Sequence, residues 1–220
     1  MEVKEKIEEP EAVEELSPGL GATLLRVAWL AILLGLGMEV LLLLVASYGG
    51  SLLGLRPLVA DFIKNISWWV VVCMGIAVGT AVGRSQMAFM GLFGLLTAPL
   101  AFEISRVLHK GSMQALRVTG GGEPADTSAL VLALVKGVEF GILGLAIAWL
   151  WTRPWGGVKA HIGLGLAVGV VFGGVMLVLL FGGEPVKATE VVSRGINEVL
   201  FPVGCALVLF TARALGSRAG

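Results

Sequence analysis

The sequence is short of charge. Only 15% of its 220 residues are Asp, Glu, Lys or Arg, where a water-soluble domain carries about a quarter. Its 16 basic and 16 acidic side chains cancel to a formal net charge of zero. No basic excess is available for phosphate contacts, which excludes nucleic acid as a partner. No run of four to eight basic residues marks a dedicated anionic-lipid patch either. Tyrosine occurs once and cysteine twice. Cys73 and Cys205 both fall in apolar runs, where they read as small packing residues rather than a disulfide. No HExxH, CxxC, GxSxG or P-loop pattern is present, and the two histidines, His109 and His161, have no partner at ligand spacing. The expectation is therefore of no metal, no haem or other cofactor, and no enzymatic activity.

The chain also lacks a secretory leader pattern. It opens "MEVKEKIEEPEAVEELSPG", with seven glutamates and two lysines, where a signal peptide starts basic and turns apolar at once. Residues 1–22 read as a solvated acidic tail, because they hold too little apolar area to offset the entropy of ordering. The alternative is a short helix that docks a soluble partner with a basic surface.

What the sequence has in excess is apolar length. Hydrophobic residues make up 56% and glycine contributes 32 positions, with a mean hydropathy of +0.91. Glycine at that density suits close helix packing in lipid. The fold expected is an all-α integral membrane protein with the lipid bilayer as its solvent. Six segments are long enough to cross a hydrocarbon core of about 30 Å, near 25–48, 66–84, 87–107, 128–151, 162–182 and 192–213. Between them, Gly49-Gly50 and Pro57 force the chain out of the bilayer, and residues 55–65 read as a short interfacial helix. "GRSQ" at 83–86 reads as a tight hairpin, "TGGGEPADTS" at 119–128 as a loop ending in Asp126 and Thr127 as N-caps, and "GGEPVKATE" at 182–190 as a second such loop. Tryptophans 68 and 69, and 149, 151 and 155, mark membrane edges.

Six spans put both termini on one face. Basic residues divide eight to seven between that face and the other, with Lys136 inside a span, so the positive-inside rule leaves orientation open. A prokaryotic cytoplasmic (inner) membrane with cytoplasmic termini is the expectation, since the acidic tail then need not be translocated.

The two halves correspond in order. "GME" at 37–39 matches "GVE" at 137–139, and "GIAVGTAVG" at 75–83 matches "GLAVGVVFG" at 165–173, with Pro99 and Pro202 a weaker third pair. This suggests a first three-helix repeat over 23–118, a Gly-rich linker over 119–127 and a second repeat over 128–220. Three spans per half make the second enter from the opposite side, an inverted-topology arrangement whose sites lie at the midplane between repeats. Gly75, Gly79 and Gly83, and Gly165, Gly169 and Gly173, form successive GxxxG spacings that read as helix-packing faces. Asn65 and Cys73 recur in spacing as Asn197 and Cys205, but this pairs spans two and six against the repeat order and is read as coincidence.

Glu39 and Glu139 each fall near the middle of an apolar span, where a carboxylate costs about 2.5–3.5 kcal/mol on insertion scales. Lys136 is three residues before Glu139, on the same helical face, and is the natural counter-ion for it and, across the repeat interface, for Glu39. Glu103 with Arg106 and Glu198 with Arg194 read as snorkelling pairs near span ends. The centre of Glu39, Glu139 and Lys136 has two readings: an ion- or substrate-binding site, or a polar clamp between helices. The first implies a small transporter or channel for protons, a monovalent cation or a small solute. The second implies a non-transporting accessory or assembly subunit, with a homodimer or membrane-complex partner.

Overall fold

A computed structural model describes residues 18–48, 55–81, 85–117, 129–182 and 188–217. It contains six long helices and no sheet among these residues: α1 (Pro18–Tyr48), α2 (Leu55–Val78), α3 (Gln86–Ala115), α4 (Ala129–Leu150), α5 (Val158–Phe181) and α6 (Ala188–Gly216). All six are long and apolar enough to cross a membrane. The helix is the natural solution, because a backbone in hydrocarbon must satisfy its polar groups within the segment. The protein is an all-α, six-helix integral membrane protein.

Two helices run further than hydropathy suggests. Residues 55–65 belong to α2 rather than to a separate interfacial helix. Pro57 stands in the first turn, where its missing N–H has no intrahelical acceptor to serve. α3 continues to Ala115 with Pro99 inside it, as α6 continues past Pro202. At 30 residues α3 is about 45 Å long, so it exceeds the hydrocarbon thickness. The N-cap candidates Asp126 and Thr127, Gly83, and most of the acidic tail lie outside the described residues.

Packing is organised by glycine. Gly75 of α2 and Gly79, in the 3-10 turn that follows it, sit on Thr97 and the Met90 backbone of α3, while Gly165 and Gly169 of α5 sit on Val203 and Val199 of α6. The two GxxxG faces therefore each serve the helix that follows in sequence, not each other. α3 and α4 meet through Gly91, Gly94, Gly141 and Gly144. At Gly94 an added Cβ would run into the carbonyl of Phe140, and at Gly144 into that of Met90, so the two backbones touch. α1 closes the bundle against α2 and α6.

α4 and α6 are the most buried spans, and α1, α3 and α5 the most lipid-facing. Leu25, Trp29, Leu33, Val170, Val171 and Val178 point outward with 60–70% of their surface free, which suits acyl chains. The core is aromatic at its centre: Trp68 makes edge contacts with Phe102, Phe140 and Phe201, at centroid distances of 6.4, 5.9 and 6.1 Å. Trp69 stacks on Phe201 at 4.2 Å.

Candidate functional site

The buried carboxylates of the bundle lie in one layer, while another fully buried titratable side chain, His161, sits near the start of α5 at the opposite face. Glu39 is nine residues before the end of α1 at Tyr48. Asn65, Glu139 and Glu198 are each ten residues after the starts of α2, α4 and α6, at Leu55, Ala129 and Ala188. These four helix ends share a face, opposite the one that holds the ends of the chain. At 1.5 Å per residue the layer is about 15 Å deep, roughly mid-membrane.

Within the layer the charges form two groups. In the first, Lys136 Nζ donates to Glu139 Oε2 at 2.7 Å and to Glu198 Oε2. Arg194 Nε donates to the other oxygen of Glu198 at 3.0 Å. The group spans α4 and α6, and α5 makes room for it: a Cβ on Gly173 would come to 3.1 Å from Glu198 Cβ. Side-chain exposure falls from 35% at Arg194 to 3% at Glu198, 6% at Lys136 and zero at Glu139. The chain of ion pairs thus runs from the loop face inward and stops at Glu139. Two positive and two negative groups balance, which is the condition for holding such charges out of water. One acceptor is left over. Glu139 Oε1 is buried without a hydrogen-bond partner, as is Asn197 Oδ1 next to Glu198.

In the second group Glu39 Oε1 accepts a hydrogen bond from Asn65 Nδ2, across α1 and α2. One turn closer to the loop face, Asp61 faces His109 of α3 at 3.6 Å. Glu39 is 6% exposed and, among the described residues, makes no ion pair.

The structure therefore brings Lys136 to Glu139 and sends its second bond to Glu198 rather than to Glu39. Glu198 and Arg194 are not a snorkelling edge pair: Glu198 is 2% exposed. The misreading follows from starting the sixth span at 192, which put Glu198 close to its end. With α6 beginning at Ala188, the same residue is central. The i,i+4 spacing of Arg194 and Glu198 is the signal that was available. Glu103 and Arg106, by contrast, are a loose 4.0 Å pair with both side chains partly exposed. The recurrence of Asn65 and Cys73 as Asn197 and Cys205 also has a structural counterpart, since Cys73 and Cys205 interact as buried free thiols between α2 and α6.

On the other side of the layer, toward the termini, the aromatic cluster of Trp68, Phe102, Phe140 and Phe201 fills the bundle. Lys136 Nζ lies 5.9 Å from the Phe140 ring centroid, so charge and aromatic layers are in contact. Beyond them Leu143, Ile147, Ile76 and Leu209 continue a dry core. No group of three or more His, Cys, Asp or Glu among the described residues is placed to hold a metal ion.

Fold and site together define a class: a six-span helical membrane protein with a buried polar layer, in which the α4–α6 group is charge-balanced and reaches one face through Arg194, bounded by aromatics toward the other. Comparison with protein-family models, curated proteins and solved structures finds no match for this chain.

Proposed function

We infer that the protein is a small transporter or channel for protons or a monovalent cation, working through Lys136, Glu139 and Glu198. The observation that carries this reading is Glu139: a fully buried carboxylate at mid-membrane depth, tied to Lys136 by one oxygen and left with the other unpaired. A purely structural clamp would have no use for an unmatched acceptor, which costs about 1–3 kcal/mol. Intramembrane ionisable groups of this kind mark ion or proton pathways. A proton or cation reaching Glu139 neutralises it and releases Lys136 to Glu198 alone. That exchange alters the bond that joins α4 to α6. Release toward the termini then requires the aromatic layer of Trp68, Phe140 and Phe201 to repack.

The inverted repeat belongs to this reading. Support comes from the matched order of "GME" with "GVE" and of the two glycine motifs, and from each glycine face serving the following helix. The halves then rock about the polar layer. We place the protein in a prokaryotic cytoplasmic membrane with both termini cytoplasmic.

The test is flux. Liposomes containing the purified protein should dissipate a proton or potassium gradient, and Glu139→Gln should slow this at least about tenfold, the equivalent of one lost charge-assisted contact, with helix content unchanged. A wild-type protein that moves no common cation and co-purifies with a stoichiometric partner would make it an accessory subunit instead.

A further inference from the structure

The face that carries the termini holds a second polar feature, eleven residues beyond Glu139 along α4, or about 16 Å along its axis. Where α4 and α6 end, a cleft of about 180 Å³ is lined by Leu150, Trp151, Arg153, Phe210, Arg213 and Ser217. Two guanidinium groups flank it. Arg153 lies over the Trp149 ring at 4.7 Å and Arg213 over the Trp151 ring at 4.4 Å. Stacking of this kind orients a guanidinium without neutralising it. Among the described residues neither arginine has a carboxylate within ion-pair distance. A third, Arg26 of α1, reaches the end of α6, with Nη1 3.1 Å from where a Cβ on Gly216 would stand.

Among the described residues the rest of this face holds no carboxylate either. The described carboxylates, Glu39, Asp61, Glu103, Glu139, Glu190 and Glu198, are all in the half of the bundle toward the other face. In the cleft wall the indole Nε1 of Trp151 is buried with no acceptor. The walls beside it, Leu150 and Phe210, are apolar, and Trp149 and Leu215 present further apolar surface to lipid, at 40% and 44% exposure. The C-terminal dipoles of α4 and α6 stabilise the arginines where they stand.

We propose that this cleft is a binding site for the phosphoryl headgroup of an anionic phospholipid. Arg153 and Arg213 take the phosphate oxygens, and the acyl chains follow the apolar surface below. Basic pockets between spans at the cytoplasmic edge recognise anionic headgroups in this manner. No linear basic cluster is needed, because α1, α6 and the turn between α4 and α5 deliver one arginine each.

The experiment is lipid titration of the full-length protein in detergent, read by native mass spectrometry, with phosphatidylglycerol, phosphatidylcholine and inorganic phosphate as probes. Phosphatidylglycerol should bind in preference to phosphatidylcholine. Arg153→Gln/Arg213→Gln should weaken it about 30-fold, with phosphatidylcholine unaffected. Arg153 is exposed, so Arg153→Gln alone leaves folding intact and should cost about fivefold. Equal binding of both lipids, or full phosphatidylglycerol binding by both variants, overturns the site. Inorganic phosphate that displaces the lipid completely at millimolar concentration overturns the lipid as its source. Deleting residues 1–17 should leave affinity unchanged. Phosphatidylglycerol binding that appears only after that deletion would assign the cleft to the acidic tail and overturn the proposal.

Discussion

Replacing Lys136 with methionine changes the charge of the buried Lys136, Glu139, Glu198 and Arg194 group from zero to −1 while keeping the volume of the side chain. Glu139 loses its one hydrogen-bonded partner, so a carboxylate with zero exposure has both oxygens unmet. Glu198 keeps Arg194 at 3.0 Å. Breaking a buried pair by removing one member costs about 3–5 kcal/mol, chiefly because the remaining charge is stranded. If that is the cause, removing the stranded charge as well should recover most of the loss. Lys136→Met/Glu139→Gln leaves Glu198 and Arg194 as a neutral pair, and should fall within about 1–2 kcal/mol of wild type. The coupling between the two positions is then at least about 1 kcal/mol, and larger by whatever Glu139→Gln costs alone. Reversible unfolding in mixed micelles with increasing dodecyl sulfate, followed by the fluorescence of the core residues Trp68 and Trp69, measures Lys136→Met, Glu139→Gln and the double variant. Hydrogen bonds between membrane helices average only about 0.6 kcal/mol in such cycles, because the unfolded helices find other partners in the bilayer. A coupling no larger than that refutes the charge-balance argument and leaves Lys136 an ordinary polar contact.

Two further outcomes follow from the packing and the topology. Gly94→Ala and Gly144→Ala should each destabilise the protein by about 1–3 kcal/mol, since the added methyl meets a backbone carbonyl of the neighbouring helix. Gly37→Ala and Gly163→Ala face open space and should be neutral or stabilising by up to about 1 kcal/mol; a loss at these positions in the same unfolding assay would contradict the packing described. Single cysteines at Ser85 and Lys187, in a protein with Cys73 and Cys205 changed to alanine, should react with an impermeant maleimide from opposite sides of the membrane. Labelling from one side would overturn the six-span topology and the inverted halves with it.

Much of this molecule was legible in its residues. The six spans could be counted, because a segment of about 20 apolar residues has few other structures open to it in lipid. Glu139 and Lys136 were identifiable as a pair from their spacing alone, since i and i+3 share a helix face whatever surrounds them. Glu39 stood out for the same reason that it is costly, as a carboxyl in an apolar run. Helix ends were less legible. Pro57 reads as forcing the chain out of the bilayer, yet it sits in the first turn of α2, and α6, read as starting at 192, begins at Ala188. That error at the start of α6 hid Glu198, and the one at the start of α2 hid Asn65.

Which groups meet was beyond sequence. Hydropathy is uniform around these helices, so it carries no direction, and rotation is set by which glycines let which backbones touch. That packing turned Lys136 toward Glu198 and away from Glu39, and gave Glu39 an amide partner instead of a cation. It also gathered Arg26, Arg153 and Arg213 from three separate segments to one membrane edge, although no stretch of the chain is basic. The sequence alone determined that charge is buried in this bundle, because burial there follows from span length and position. Only the tertiary structure decided how that charge is balanced, because balance depends on distances of a few ångströms between helices far apart in the chain.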